Sequence, residues 1–382
     1  MEAFVSVEIF LLQIYLNLAI VHLKGDLMKP ILATMLSVSG LQLTDFEKRL
    51  LSSVNPMGVT LFKRNIQNKQ QVQALVQSVK EIIGREDVLI AVDQEGGRVC
   101  RLSEPNWLPY LSQYSLGSLS GKEGKELTKL HGELIATDLN ELGINWNYAP
   151  VLDVAYANTT EALKNRTFSS DCKLVSSLGK ILVDTYTKNG ICPCIKHLPG
   201  HGRAIVDPHL NLPILSQSLK ELENDFYPFI SAGQSAPAGM TAHVVLSEID
   251  NRPVTQSKKA IQQIIRDKIG FQGFLISDAI EMHALKGSLS SRTKNGLDAG
   301  CDAIMYSQGE ADALQEVVSA ARPLTDAALE RFDKIRQVIL QKILKTETQS
   351  ARTRYNELAK KTQSLSTDYD AVEILNKMKG NK

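Results

Sequence analysis

Three histidines and an aspartate near the middle of the chain have the residue types that acid–base chemistry needs. His197, His201 and His209 lie within thirteen residues of one another in a chain of seven histidines, and Asp207 lies two residues before His209. At that spacing the Asp207 carboxylate can bond one nitrogen of the His209 ring and fix its tautomer, so that the other nitrogen can move a proton. The segment therefore predicts a proton-transferring pair formed by Asp207 and His209.

A metal site is the alternative for the same cluster. His197 and His201 are four residues apart, which on a helix would place both on one face, as zinc ligands often are. Pro199, Gly200 and Gly202 disfavour a helix here, and the H-E-x-x-H pattern of zinc hydrolases is absent from the segment. We therefore expect no metal and no cofactor. Convergence of these side chains on a metal from one loop stays open as an alternative.

Polar residues also close several short apolar runs elsewhere in the chain. One run ends in Asp93, another ends in Lys196 and is followed by His197, and a third ends in Asp278. In a parallel barrel the carboxyl ends of all strands meet at one rim, and active sites are built there. A single charge at the end of a strand is often only solvated, but Asp153 and His243 repeat the pattern after two more runs. The repetition favours one active site at a shared rim.

The apolar runs themselves indicate the fold. They are short, rich in β-branched residues, and cover residues 30–35, 58–62, 88–93, 144–150, 191–196, 239–243, 273–278 and 303–306. Amphipathic stretches at 68–83, 124–142, 171–189 and 256–269 separate several of them and predict helices. Strands that alternate with helices indicate a parallel sheet. Eight such units predict an α/β fold of the (β/α)8 TIM type in a single domain, and no G-x-G-x-x-G turn follows the first run to favour a dinucleotide-binding sheet.

Composition excludes several classes of protein. The chain is 43% hydrophobic and has a formal net charge of +1, so it can bury a large core and has no global field that would attract nucleic acid. Its five cysteines are odd in number, scattered, and form no C-x-x-C pair, which favours a reducing compartment. We therefore expect a cytoplasmic protein that does not bind nucleic acid.

The two ends of the chain differ from its middle. Residues 1–27 are apolar, but Glu2 and Glu8 lie where a signal peptide would be positive, and Gln13 and Asn17 weaken a membrane span. We expect this segment to be an upstream extension outside the working protein, and we expect no membrane partner. Residues 345–382 are polar and mixed in charge, which predicts a solvated helical or frayed tail. The barrel is expected to span residues 28–344.

Five motifs, taken in order, resemble glycoside hydrolase family 3. They are VDQEGGRV at 92–99, APVLDV at 149–154, KHLPGHG at 196–202, DPH at 207–209 and SDAIEM at 277–282. The resemblance runs from about residue 28 to 340, and members of the family built from the barrel alone are typically β-N-acetylhexosaminidases. It implies that Asp278 is the nucleophile of a retaining hydrolase and that His209, oriented by Asp207, is the general acid and base. It also implies a set of sugar-binding residues, namely Asp93, Arg101, Arg166, Lys196 and His197.

The substrate that the resemblance implies is a terminal non-reducing GlcNAc on peptidoglycan fragments, the GlcNAc–anhydroMurNAc peptides of cell-wall recycling. We expect a monomer that uses this small carbohydrate as its partner. Three alternatives stay open, namely a phosphorylase that uses the same chemistry, a metal-dependent hydrolase on the same barrel, and a glycan-binding barrel without catalysis. Pro208 stands where the family usually has serine, and because proline fixes φ and removes an amide donor, we expect the geometry of this loop to differ from that of the family.

Overall fold

Eight parallel strands close into a barrel in the computed structural model, which describes residues 29–341 and 348–366. The strands, numbered in chain order, are β1 (Leu32–Ser37), β2 (Pro56–Leu61), β3 (Leu89–Val92), β4 (Trp146–Asn147), β5 (Cys192–Leu198), β6 (Ala238–Thr241), β7 (Phe274–Ala279) and β8 (Ala303–Met305). Each strand pairs with the next along the chain, and β8 pairs with β1, so that the barrel has no open edge. Each of the eight apolar runs overlaps one strand, and the single-domain (β/α)8 barrel is confirmed.

Helices connect and cover the strands. They are α1 (Asp45–Val54), α2 (Lys69–Ile83), α3 (Gln113–Ser118), α4 (Gly121–Glu141), α5 (Cys172–Lys188), α6 (Glu223–Ser231), α7 (Lys258–Ala260), α8 (Leu289–Ala299), α9 (Ala311–Ala320), α10 (Asp326–Ile339) and α11 (Thr348–Ala359). Short 3-10 turns lie at Lys63–Asn65, Gly233–Ser235 and Val254–Gln256. Two helix starts follow from capping: the Asn68 side chain accepts the Gln71 amide before α2, and the Asp171 side chain accepts the Lys173 amide before α5.

The helix predicted at 256–269 has a different hydrogen-bond pattern from the one expected. After the single turn of α7, residues Ile261–Lys268 form a π-helix. Ile261, Ile264 and Ile265 are still buried in it, so the apolar face that the sequence indicated is present. Apolar spacing marks the buried face of a helix but does not distinguish an α-helix from the wider π-helix.

Helix α11 packs against α4 on the outside of the barrel. Ala351, Tyr355 and Leu358 are its buried residues, and Arg354 makes a two-pronged ion pair with Glu126 of α4, at 2.8 and 3.0 Å. The extension predicted at 1–27 lies outside the described residues, and the predicted tail is described only over 348–366. No helix in the described ranges has the length and apolar character that crossing a membrane would require.

Candidate active site

The carboxyl ends of the barrel strands surround a cavity of about 450 Å³. Seven of the eight predicted site residues line it: Asp93, Arg101, Arg166, Lys196, His197, His209 and Asp278. The eighth, Asp207, does not line the cavity but contacts the ring of His209, which does. The structure therefore brings the predicted residues to one place, as the barrel rim requires.

Asp278 occupies the next-to-last position of β7. The Ala279 amide donates to its Oδ1 at 2.8 Å. Burial acts to raise the pKa of Asp278, but the nearby His197 and His243 outweigh burial and leave the pKa of this carboxyl below its usual value. Asp278 is therefore ionised at neutral pH, which is the state that a nucleophilic carboxylate needs.

His209 and Asp207 form the pair that their spacing predicted. Asp207 Oδ1 lies 2.7 Å from His209 Nδ1 and also accepts the His209 amide at 2.9 Å. Because Nδ1 is engaged, Nε2 is the ring nitrogen left for proton transfer. Pro208 has no amide to donate, but the amide that binds Asp207 belongs to His209, so the proline removes no bond from the pair.

The loop that carries His209 is attached to the loop that follows β7. The His283 amide donates to the His209 carbonyl at 3.3 Å, and the Ala284 amide donates to the Pro208 carbonyl at 3.2 Å. These two bonds hold the end of the histidine loop against the segment that begins at Asp278. His209 and Asp278 therefore line the same cavity.

Asp93 and Lys196 form the first part of a buried network of charges. Lys196 Nζ lies 2.8 Å from Asp93 Oδ1, and Arg101 Nη2 lies 3.1 Å from Asp93 Oδ2. Burial opposes the charge on Asp93, but Lys196 and Arg101 outweigh it and lower the pKa of Asp93 well below its usual value. Burial also opposes the charge on Lys196, and by itself would lower the pKa of this amine. The carboxylates of Asp93 and Glu95 outweigh burial and raise the pKa. Both groups stay charged beside the cavity.

Glu95 completes this network and was missed as a site residue. Its Oε1 accepts from Lys196 at 2.6 Å, and both of its oxygens accept from Arg166, at 2.7 and 2.8 Å. Glu95 lies on a short strand, Gln94–Gly96, that pairs with Val99–Cys100. The available signal was charge balance, because the three cations predicted for the sugar-binding set, Arg101, Arg166 and Lys196, require more than the single carboxylate of Asp93.

Replacing Glu95 with glutamine tests this network through stability. The change leaves the buried Arg166 charge without its carboxylate, so we expect Glu95→Gln to lower the free energy of unfolding at pH 7 by about 3 kcal/mol. The pKa of Glu95 is lowered to about 2, because Arg166 and Lys196 outweigh burial. Its stabilising effect is therefore complete above the unfolded-state pKa of about 4.3 and is lost as the pH falls through the folded value.

Denaturant unfolding at pH 7 and at pH 3 measures both parts of that prediction. The difference between the wild type and Glu95→Gln should be smaller at pH 3. Glu126→Gln, which removes an exposed partner of Arg354, is the matched control and should cost no more than about 1 kcal/mol at either pH. A Glu95→Gln loss no larger than that of the control would contradict the assignment.

His197 is held by a buried aspartate that the sequence placed at a strand end without a role. Asp153 Oδ2 lies 2.7 Å from His197 Nδ1, and Asp153 Oδ1 accepts the His201 amide at 2.7 Å. The His201 ring lies edge-on to the His197 ring, 5.5 Å away between centroids. Within the described part of the chain neither ring nitrogen of His201 has a hydrogen-bond partner, and burial lowers its pKa to about 4.

Asp153, His197 and His201 together have the donor types that zinc prefers. Their ligand atoms all lie within 4.8 Å of one another, and all three residues are buried. A carboxylate oxygen and two imidazole nitrogens match a three-residue zinc site. The absence of metal therefore stays a prediction, and the residues themselves are compatible with a bound ion.

Comparison with known proteins shows which family the chain belongs to. Residues 28–339 match the family model described as Glycosyl hydrolase family 3 N terminal domain. The beta-hexosaminidase of Bordetella avium (strain 197N) is 34% identical over 301 residues, which cover 76% of this chain and 85% of the relative.

Solved structures agree with the sequence match. NagZ from Neisseria gonorrhoeae in complex with N-trifluoroacetyl-D-glucosamine is similar at a TM-score of 0.78 and 29% identity, covering 88% of this chain and 99% of that one. NagZ from the same organism in complex with zinc ion gives a TM-score of 0.76 at 30% identity, covering 86% and 98%. The resemblance of the five sequence motifs is confirmed, and the chain belongs to glycosyl hydrolase family 3.

Proposed function

We propose that the chain is a retaining exo-β-N-acetylglucosaminidase that hydrolyses terminal non-reducing GlcNAc from GlcNAc–anhydroMurNAc peptides. The broader activity, that of a β-N-acetylhexosaminidase, follows from the family and from the relatives of that name. The observation that carries the finer proposal is the meeting of Asp278, the His209–Asp207 pair and the Asp93–Lys196 network at one cavity.

In the first step Asp278 attacks the anomeric carbon. The bond from that carbon to the glycosidic oxygen breaks, and the electron pair goes to the leaving oxygen. His209 Nε2 donates a proton to that oxygen, so the aglycone leaves as a neutral alcohol. The product is a glycosyl ester of Asp278 and a neutral imidazole at His209.

In the second step water opens the ester. His209 takes a proton from the water while its oxygen bonds to the anomeric carbon, and the Asp278 carboxylate is released. Two inversions at that carbon give net retention. Asp207, which lies 2.7 Å from Nδ1, favours the protonated ring that forms in this step and prepares it to act as the acid in the next turnover.

The sugar-binding residues are proposed to hold the GlcNAc ring against Asp278. The Asp93 carboxylate accepts from sugar hydroxyls, while Arg101, Arg166 and Lys196 donate to them. His197 is fixed by Asp153 through Nδ1, which leaves Nε2 as the nitrogen that can contact the sugar. These residues recognise a neutral hexose through hydrogen bonds to its hydroxyl groups and not through attraction to a charged substrate.

A chromogenic β-GlcNAc glycoside tests the proposal directly. We expect turnover of this substrate, much weaker turnover of the β-glucoside, and release of the β-anomer of GlcNAc in an NMR time course. Release of GlcNAc-1-phosphate when inorganic phosphate is added would instead support the phosphorylase. Binding of GlcNAc without turnover would support the glycan-binding barrel.

The peptidoglycan part of the proposal has its own test. Incubation with GlcNAc–anhydroMurNAc peptides should release GlcNAc, measured by mass spectrometry, at a rate at least comparable to that of the chromogenic glycoside. The cytoplasmic location that we propose is supported by the five cysteines, which are all free. The proposed monomer should elute at its chain mass in size-exclusion chromatography with light scattering.

A metal-dependent hydrolase is a second candidate, because Asp153, His197 and His201 have a zinc-compatible geometry. A metal bound there would be coordinated by His197, which we propose contacts the sugar. It would also replace the hydrogen bond between His197 Nδ1 and Asp153. We therefore expect EDTA to leave turnover within about twofold and added Zn²⁺ to inhibit competitively with the glycoside, as a ligand for a substrate-binding histidine should. Loss of activity in EDTA with rescue by Zn²⁺ would support the second candidate and contradict ours.

A further inference from the structure

Tyr355 on helix α11 contacts Leu111. The hairpin of residues 94–100, which carries Glu95, packs against the same residue. The phenolic oxygen of Tyr355 accepts the Leu111 amide at 2.9 Å and lies 3.3 Å from His131 Nδ1. The Tyr355 side chain is almost fully buried, at 2% exposure. A residue of helix α11 therefore takes part in a buried hydrogen-bond chain.

His131 on α4 carries this chain to the active site. Its Nε2 lies 3.2 Å from the backbone oxygen of Glu95. A carbonyl only accepts, so Nε2 holds the proton, and Nδ1 must accept from the Tyr355 hydroxyl. Burial lowers the pKa of His131 to about 4, so the ring is neutral at pH 7 and keeps this direction of donation.

The hairpin packs tightly against the same residues. Gly96 has a φ of +99°, and a Cβ there would lie 2.1 Å from the Leu111 oxygen and 2.9 Å from His131 Cε1. The Gly97 amide donates to the Tyr110 oxygen at 2.7 Å. Only glycine can adopt this backbone conformation so close to Leu111 and His131. The position of the hairpin is therefore fixed by these two residues.

We propose that Tyr355 and His131 are positioning residues for the sugar site. They fix the Glu95 backbone, and the Glu95 carboxylate in turn fixes Arg166 and Lys196 at the cavity. Helix α11 then contributes to sugar binding, although it packs on the outside of the barrel. The inference rests on the proposed function, because it assigns these residues to the binding of the same sugar.

Tyr355→Phe is the test, made in the full chain. The variant keeps the ring and removes the hydroxyl, which leaves the Leu111 amide and His131 Nδ1 without their partner. We expect the KM for the chromogenic β-GlcNAc glycoside to rise about fivefold, the equivalent of one lost hydrogen bond, while kcat stays within about twofold. That split is expected because Arg166 and Lys196 bind the sugar in both the ground state and the transition state.

Two further variants separate positioning from a general loss of structure. His131→Gln keeps an N–H donor near the Glu95 oxygen and should have a smaller effect on KM than His131→Leu, which keeps none. Arg354→Gln weakens the contact of the same helix with Glu126 but lies outside the hydrogen-bond chain, so it should leave KM unchanged. Equal KM increases in Arg354→Gln and Tyr355→Phe would overturn the inference.

Amide hydrogen exchange separates this inference from the proposed function. In Tyr355→Phe the hairpin at 94–100 should exchange faster than in the wild type and in Arg354→Gln, whether or not the glycoside is cleaved. Absence of turnover by the wild type would refute the proposed function alone. Unchanged exchange at 94–100 together with an unchanged KM would refute the positioning role alone.

Discussion

Replacing Asp278 with asparagine should lower kcat/KM for a β-GlcNAc glycoside by on the order of 10³ or more, as loss of the nucleophile does in other covalent catalysts. The amide has almost the same shape as the carboxylate but cannot form the glycosyl ester. It also removes the negative charge that His197 and His243 stabilise at the end of β7. Steady-state assays of the wild type and Asp278→Asn at pH 7 measure the loss.

The matched control for that variant is Asp298→Asn. Asp298 is an exposed residue of α8 that pairs with Arg322, so the same chemical change there should leave kcat/KM within about twofold. Thermal unfolding of both variants shows whether the fold is intact. Turnover by Asp278→Asn at a tenth of the wild-type rate or more would exclude Asp278 as nucleophile.

The barrel was predictable because its signal is local. Every strand of the barrel overlaps a run of mostly apolar residues, and helices between the strands follow residues such as Asn68 and Asp171, which cap them by side-chain hydrogen bonds. Boundaries were less predictable. The run at 144–150 becomes a strand only at Trp146–Asn147, because ladder pairing is set by neighbouring strands and Pro150 has no amide for it.

The site was predictable where a residue lies near the carboxyl end of a strand and unpredictable where it depends on a distant partner. Asp278 and Lys196 mark strand ends, so the shared rim brings them together. The pairing of His197 with Asp153 joins residues 44 apart, and the parallel pairing of β4 with β5 makes them neighbours. Glu95 was missed for the same reason, because its partners are distant in the chain: Lys196 lies on β5 and Arg166 lies in the connection between β4 and α5.

Helix α11 shows what sequence periodicity leaves out. Only Ala351, Tyr355 and Leu358 are buried in it, and its remaining residues are mostly polar, so the apolar signal that predicts a packed helix is weak. The helix contacts the barrel through these three buried side chains, through the ion pair of Arg354 with Glu126 and through the hydrogen bonds of the Tyr355 hydroxyl. Contacts of that kind join residues 224 positions apart and are visible only in three dimensions.

Replacing His209 with alanine should also lower kcat/KM by a large factor, and the size of that factor should depend on the leaving group. For an alkyl or sugar aglycone the first step needs a proton, so we expect a loss in kcat/KM of about 10²- to 10⁴-fold. A 2,4-dinitrophenyl aglycone leaves as a stable anion without a proton, so its kcat/KM should fall much less. Paired assays with the two types of glycoside measure the difference.

The same variant should also reveal the covalent intermediate. His209 is the base that activates water in the second step, so with the dinitrophenyl substrate the ester on Asp278 should form quickly and hydrolyse slowly in His209→Ala. Intact-mass spectrometry should then show the protein heavier by one GlcNAc residue, and the added mass should be absent from the Asp278→Asn, His209→Ala double variant. That result would assign the two residues to successive steps of one reaction.

The control for His209→Ala is the same substitution at His283, which contacts His209 from the loop that follows β7. His283 is exposed and bonds the His209 carbonyl through its backbone amide, so His283→Ala keeps that bond and should keep wild-type kinetics with both glycosides. Asp207→Asn should fall between the two, because the amide keeps a hydrogen-bonding group beside Nδ1 but cannot stabilise the charged ring or enforce its tautomer. If His209→Ala lowered kcat/KM equally for both leaving groups, the loss would come from binding or folding, and the proton donor would have to be sought among the other cavity residues.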